Sequence, residues 1–229
     1  MAGRPQRLTS LGSNALEKIR DALKEGTLAP GQRLRETDLA ERFSMSRTPV
    51  RDAIQMLRAK GWVTHEDGAL IITRLDRRQL DEIYVMRETL EGMSARLAAI
   101  NAKPEDVEDL QIVISGEATA KTPRKRAQIN AKFHSLLVTL AGNRYLSRVV
   151  EDLSETLALL GPTTLADNTR FAEARREHAA IVAAIAAGDP EAAEAKMRGH
   201  VRGAWKARRI FMLSGPEEES DTSVGSVRR

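Results

Sequence analysis

The first third of the chain alternates short amphipathic segments with glycine and proline turns. Apolar residues recur at helical spacing in three segments. The predicted helices are 13–25, 36–43 and 47–60. Two β-prone runs follow, and Asp67 and Gly68 between them are typical of a tight hairpin turn, because such a turn needs positive φ. Three helices followed by a hairpin predict a winged helix-turn-helix domain over residues 11–75.

From residue 77 onward, every periodic segment has the spacing of a helix. The segments are roughly 77–101, 104–119, 122–142, 143–160, 168–187 and 190–213. The breaks between them are short and contain Gly, Pro or Asn, so consecutive helices are expected to turn back on each other. Residues 76–213 are therefore predicted to form an antiparallel all-α helical bundle, which makes the fold class mainly α.

The two ends of the chain lack this periodicity. Residues 1–10 are expected to be a flexible basic arm, and residues 214–229 a disordered tail, because their composition cannot support a packed core.

The first 75 residues carry 13 Lys and Arg against 9 Asp and Glu, so the formal net charge of +4 lies wholly in that part. A basic module beside a neutral one favours a polyanion-binding head on a separate body.

Two absences narrow the class of protein. The chain has no cysteine, which excludes disulfides and thiolate metal sites. Its longest apolar run, Ala179–Ala187, is far shorter than the roughly 20 residues that a membrane helix needs. We therefore expect a cytoplasmic protein without a membrane partner.

The third predicted helix carries the residues best suited to DNA. Ser46 is expected to cap it, and Arg47, Thr48 and Arg51 occupy its first turns. The start of a recognition helix points into the major groove, where arginine can bind guanine O6 and N7 together. Hydroxyl groups suit phosphates, and Gly68 at the wing tip lets the backbone approach a minor groove. The alternative is a surface helix whose arginines are merely solvated.

Arg35 and Thr37 stand at the start of the second predicted helix, where Arg35 suits a phosphate contact as well as a solvated surface. Three stretches in register resemble the GntR family of bacterial regulators. They are Pro30–Leu34, Glu36–Ala40 and Ser46–Ala53. The resemblance implies a homodimer on palindromic double-stranded operator DNA, with Arg47 and Arg51 reading bases. Thr37 occupies a position where some relatives place a DNA-contacting arginine.

Three of the four histidines lie in the predicted bundle. His178 and His200 are each eleven residues from Asp189, so a helical hairpin that turns there places them side by side. His134 follows Asn130 by four residues, and both therefore project from one helix face. Asn130, His134, His178 and His200 are predicted to converge as ligands of a divalent metal ion, with Zn²⁺ or Ni²⁺ favoured. A purely polar pocket is the alternative.

This half of the chain resembles the FCD-type effector domain of the FadR subfamily, and its six helices suit the VanR-like branch. The matching pieces are Val85–Glu91, Phe133-His134, Ala141–Asn143, Glu177-His178 and His200. The resemblance implies a metal held by the four residues named above and a carboxylate-bearing metabolite as effector. Arg87 is expected to pair with the effector carboxylate through two hydrogen bonds, and the alternative is an intrahelical pair with Glu91.

These patterns predict a repressor whose operator affinity is controlled by a small organic acid at a metal-containing pocket. One rival is a metal-dependent hydrolase, since histidines with an open position can activate water. It lacks an obvious general base, because Glu177, next to His178, is expected to point away from the site. The other rival is a ligand-independent DNA-binding protein with a vestigial bundle.

Overall fold

The computed structural model describes residues 10–213. The predicted arm and tail therefore fall almost entirely outside the described residues. The N-terminal part contains three helices and three short strands. They are α1 (Ser10–Lys24), β1 (Arg33–Leu34), α2 (Glu36–Phe43), α3 (Arg47–Ala59), β2 (Val63–Glu66) and β3 (Ala69–Ile72). Buried apolar side chains of these helices and strands form one core.

The predicted wing is present and gains a third strand. Strand β3 lies between β1 and β2, and both pairings are antiparallel. Glu66 pairs with Ala69, so the hairpin loop consists of Asp67 and Gly68, whose φ angles are +48° and +72°. Positive φ at both positions is what a type I′ turn requires. The sequence analysis missed β1, because two residues are too few to show an alternating pattern.

Helices α2 and α3 begin where the sequence predicted, but the cap of α3 differs. Ser46 takes the N-cap position with extended backbone angles, yet its side chain makes no capping hydrogen bond. The expected capping role of Ser46 is therefore wrong in this structure, and the first N–H groups of α3 keep their capacity to bind an acceptor.

The C-terminal part is helical throughout the residues that the structure describes. Its α-helices are α4 (Arg77–Asn101), α5 (Pro104–Ser115), α6 (Pro123–Leu140), α7 (Arg144–Thr156), α8 (Asn168–Ala186) and α9 (Pro190–Leu213). The predicted segments 104–119 and 143–160 both end in 3-10 helices, at Gly116–Thr119 and Leu157–Leu160. A further 3-10 turn at Thr164–Ala166 was not predicted. The mainly α fold class, a winged helix-turn-helix followed by a helical bundle, is confirmed.

The hairpin between α8 and α9 sets the geometry of the candidate site. Gly188 takes positive φ (+63°), and the Asp189 side chain accepts a hydrogen bond from the Ala192 N–H at 2.9 Å. The two helices pack closely along their length, and both also contact α4. Residues equally distant from the turn therefore lie beside each other inside the bundle.

The winged helix and the bundle also touch away from the chain connection between them. Ala158 and Leu159, in the 3-10 helix after α7, are each 3% exposed and belong to the core of the winged helix. Glu155 pairs with Arg20 at 3.2 Å and also with Lys60. We call residues 155–162 the docking segment.

Candidate metal centre and nucleic-acid interface

Three histidines from three helices meet inside the bundle. His134 lies on α6, His178 on α8 and His200 on α9, and one nitrogen of each lies within 4.8 Å of the others. His178 and His200 are buried, and His134 is nearly so. Phe133 packs against the His178 ring with 4.3 Å between ring centroids, which restricts how that imidazole can turn. The mirrored spacing about Asp189 thus corresponds to a real juxtaposition.

A glutamate stands behind each histidine. Nδ1 of His178 lies 2.6 Å from Glu117, and Nδ1 of His200 lies 2.7 Å from Glu177. Nδ1 of His134 lies 2.7 Å from Glu91 Oε2, although this contact does not have hydrogen-bond geometry. A carboxylate accepts a hydrogen bond from the Nδ1–H group, so Nε2 of His178 and Nε2 of His200 are each left with a lone pair.

The ring nitrogens opposite these carboxylates lie close to one another. Nε2 of His134 and Nε2 of His200 are 3.2 Å apart. Nε2 of His178 is buried and has no hydrogen-bond partner among the described residues. Two ligands about 2.0–2.1 Å from a tetrahedral metal ion stand about 3.3 Å apart, close to this spacing. The arrangement fits a cation held by three Nε2 atoms.

The protonation states point the same way. Burial lowers the pKa of His178, although the hydrogen bond with Glu117 opposes the shift. Burial lowers the pKa of His200 well below its usual value, and the neighbouring His178 and His134 add to this shift. Both imidazoles are therefore neutral near pH 7, which is the form that binds metal.

Glu177 is in turn held by a buried arginine. Arg170, on α8, donates from Nη1 and Nη2 to the two carboxylate oxygens of Glu177 at 3.0 and 2.9 Å. Gly203 of α9 leaves room for this pair, since a Cβ there would lie 3.1 Å from Glu177 Oε1. The expectation that Glu177 points away from the site is wrong: it supports His200, on the neighbouring helix.

Arg87 forms the intrahelical pair that the sequence left open. Its Nε donates to Glu91 Oε1 at 2.7 Å, and both side chains are buried. Burial opposes ionisation of Glu91, but the charge of Arg87, together with a contribution from the His134 side chain, outweighs it and keeps the pKa of Glu91 well below the usual range. Asn130 lies one turn before His134 on α6 and is half-buried, without a side-chain hydrogen bond in the part of the chain that the structure describes. Its role as a fourth ligand stays a prediction.

The residues predicted to read DNA share one exposed region of the winged helix. Ser46, Arg47, Thr48 and Arg51 lie at the start of α3, and all four are exposed. The two arginines have no acidic partner within residues 10–213, so their guanidinium groups are available to an anion. Arg35 and Thr37, at the start of α2, and Gly68, at the wing tip, are exposed as well.

A surface groove runs between α3 and the wing. It encloses about 560 Å³ and is lined by Gln55, Arg58, Ala59, Val63, Thr64 and His65. It lies on the winged helix, away from the buried histidines. The groove therefore lies between α3 and the wing, the two elements with which a winged helix contacts duplex DNA.

Comparison with known proteins matches each half of the chain to a described family. Residues 11–69 match the family of bacterial regulatory proteins called gntR, and residues 82–203 match the FCD domain. The chain belongs to the GntR family. It is a transcriptional regulator with a DNA-binding head and an FCD domain, the kind of domain that takes a small-molecule effector. The matched relatives and domains are transcriptional regulators, not enzymes.

Two curated relatives show the extent of the likeness. The uncharacterized HTH-type transcriptional regulator YdhC of Bacillus subtilis is 30% identical over 82% of this chain and 84% of its own length. The probable D-xylose utilization operon transcriptional repressor of Paenarthrobacter nicotinovorans is 31% identical over 84% and 86%. The solved structure of Escherichia coli McbR/YncC, 24% identical, covers 89% of this chain and 99% of its own with a TM-score of 0.74, which shows the shared fold.

Sequence reasoning found the histidines but missed the carboxylates behind them. Glu91 and Glu177 were within reach, since each belongs to a stretch that resembles the FCD domain. Glu117 stands in a 3-10 helix far along the chain from His178, and no local pattern points to it.

Among residues 10–213, no helix combines the length and apolar character needed to cross a bilayer.

Proposed function

We propose that this GntR-family regulator is a repressor whose hold on its operator is controlled by a carboxylate effector bound beside a divalent metal ion. The observation that carries the proposal is the pair of facing Nε2 atoms of His134 and His200, with the unpartnered Nε2 of His178 beside them. Buried lone pairs that face each other are unfavourable unless a proton or a metal cation lies between them, and a metal cation can satisfy all three nitrogens at once.

The donor set favours zinc or nickel. Imidazole nitrogen binds both well, whereas magnesium and calcium prefer oxygen ligands. Asn130, one turn before His134, is the candidate for a fourth, oxygen ligand. When bound, the ion supplies a Lewis-acidic centre for an effector oxygen. Glu117 and Glu177 orient the imidazoles of His178 and His200 and keep the proton of each on Nδ1, and Glu91 lies 2.7 Å from Nδ1 of His134.

The charges around the site explain why the effector would be an anion. Three carboxylates and the guanidinium groups of Arg87 and Arg170 leave one negative charge while the imidazoles are neutral. A divalent cation reverses this to one positive charge in a buried place, where it attracts a carboxylate strongly. Arg87 is the cationic side chain proposed to pair with that carboxylate, through N–H groups that Glu91 does not use.

A homodimer is proposed from the exposed face of α4. Met86, Met93 and Ile100 repeat every seven residues and are 46%, 39% and 58% exposed. Exposed apolar residues at this spacing form a stripe that a second copy of the helix covers in a coiled-coil manner. α7 packs against α4 and carries the exposed Tyr145 and Val149. Two-fold pairing would present two heads to the half-sites of a palindromic operator.

The DNA-reading role is tested with a charge-matched pair of variants. Duplexes that bind the wild-type protein are first selected from a random library, and their affinities are then measured by gel shift. Arg47→Ala with Arg51→Ala should weaken the selected duplex at least tenfold, since each paired contact to guanine gives about 1–3 kcal/mol of discrimination. Arg175→Ala with Arg176→Ala removes the same charge from an exposed part of α8 and should change little. Equal affinity of the folded double variant and the wild type would refute base reading by α3.

The metal site is tested by calorimetric titration of the chelator-treated protein with Zn²⁺ and Ni²⁺. Wild type should bind one ion per chain, and His178→Ala should lose that binding. His65→Ala is the matched control, because His65 is exposed on the wing and lies outside the cluster. Undiminished binding by His178→Ala would show that the ion sits elsewhere.

A further inference from the structure

We propose that the docking segment, fastened to α9 by Arg208, transmits the state of the histidine site to the recognition helix. The inference rests on the proposed function, because it assumes that a cation occupies that site. It assigns to Arg208 and Glu155 a positioning role between the two halves of the chain, separate from the connection that enters α4 near Asp76.

Residues 155–159 of the docking segment pack against the winged helix. Ala158 and Leu159 lie in the same core as the inner faces of α1 and α3. One oxygen of Glu155 accepts from Arg20 of α1, and the other pairs with Lys60, the C-cap residue of α3. A displacement of this segment therefore moves the C-terminal end of the recognition helix.

Residues 160–162 of the docking segment are held by a buried side chain of the bundle. Arg208 is 6% exposed and donates from Nη1 to the Leu160 carbonyl at 2.9 Å and from Nη2 to the Pro162 carbonyl at 3.0 Å. Arg208 follows His200 by eight residues on the same helix, about 12 Å along its axis. Both hydrogen bonds are partly buried, and the two carbonyls would lose these donors if α9 shifted.

Packed aromatic and charged groups connect Arg208 with the histidines. Burial lowers the pKa of Arg208, and the Tyr84 hydroxyl opposes this shift. The Tyr84 ring stacks on Trp205 of α9 at 4.8 Å, and the Arg87 guanidinium lies 5.0 Å from the centre of the Tyr84 ring. Arg87 in turn pairs with Glu91, behind His134. Close-packed groups transmit displacement, so a change at Arg87 reaches Arg208.

The test is hydrogen–deuterium exchange on the full chain, with and without Zn²⁺ as the only ligand. Zn²⁺ should slow exchange in α8 and α9 and also, by about fivefold or more, in the docking segment and in α1 and α3. In Arg208→Gln the slowing should stop at the bundle. In Lys206→Gln, an exposed neighbour on α9, it should persist in full.

Glu155→Gln provides a second variant that leaves the bundle core untouched, since Glu155 is partly exposed. It should reduce the Zn²⁺-dependent protection of α3 and keep that of α8 and α9. Protection of the winged helix that survives in Arg208→Gln overturns the inference, as does protection confined to the bundle in wild type that binds Zn²⁺. If Arg208→Gln does not fold, Arg208→Lys and Glu155→Gln decide by the same readout. Unchanged exchange everywhere, in α8 and α9 too, would instead refute the metal site itself.

Discussion

His178 is the most enclosed of the three histidines, with no exposed surface, and its orientation depends on groups far away in sequence. Phe133 restrains the ring, and Glu117 accepts its Nδ1 proton. The carboxylate thus decides which nitrogen faces the site, and its charge makes that nitrogen a better ligand. At the scale of single residues, the candidate metal centre consists of three histidine–glutamate pairs.

Glu117→Gln is expected to weaken Zn²⁺ binding about 10- to 100-fold, the usual cost of losing such a partner. The amide oxygen can still accept the Nδ1 hydrogen bond, so the loss reflects the missing charge. Competition with a colorimetric zinc chelator measures the affinity. Glu173→Gln removes a carboxylate that is 47% exposed and should bind Zn²⁺ as wild type does. Equal affinities for both variants would remove Glu117 from the site.

At the scale of a single element, helix α9 carries two residues with proposed roles and also contains two glycines. It carries His200 at its middle and Arg208 about two turns further on. It also contains Gly199 and Gly203, which carry a conformational cost inside a helix. Gly203 faces the Arg170–Glu177 pair, where a side chain would press on the support of His200. Gly199 has open space around it, and nothing in its surroundings requires a glycine.

Gly199→Ala is therefore expected to stabilise the metal-free protein by about 1 kcal/mol, because alanine loses less backbone freedom on folding. In a chain of this size that corresponds to a rise in Tm of about 2–4 °C. Thermal unfolding followed by circular dichroism checks it. Gly203→Ala should gain less, since its new Cβ meets Glu177 at 3.1 Å. A larger gain at 203 than at 199 would contradict this account of α9.

At the scale of the whole molecule, the proposed mechanism requires the histidine site to act on two separate surfaces. The histidines lie inside the bundle, the arginines that suit DNA lie at the start of α3, and the proposed dimer face lies on α4. α4 contacts α6, α7, α8 and α9, and it carries Arg87 and Glu91 on its buried side. The same helix therefore connects the proposed effector site with the proposed dimer face.

Met86→Glu with Met93→Glu should convert the proposed dimer to a monomer, because four carboxylates would face one another across the two-fold axis. Sedimentation velocity at micromolar concentration distinguishes the two states. Ile112→Glu is the control: Ile112 is 67% exposed on α5, which packs on α6 and α8 instead of α4. A dimer that survives the double substitution would place the interface elsewhere.

Removal of the metal should abolish effector binding, since the site carries a net negative charge without it. A panel of small mono- and dicarboxylates is screened by thermal shift in Zn²⁺ and again after chelation. We expect the hits to lose their effect in the chelated protein and in Arg87→Met, and to keep it in Arg96→Met, whose partners Glu191 and Glu194 lie on the outer side of α9. A carboxylate that stabilises the chelated protein equally well would contradict the charge argument.

Features that depend on local geometry could be predicted from spacing along the chain. The mainly α fold, the two-residue wing turn and the meeting of His178 with His200 all follow from helical or hairpin periodicity. Contacts between distant parts of the chain settled which carboxylate stands behind each histidine and that residues after α7 enter the core of the winged helix. Those outcomes depend on side-chain packing between distant segments, which no spacing along the chain encodes.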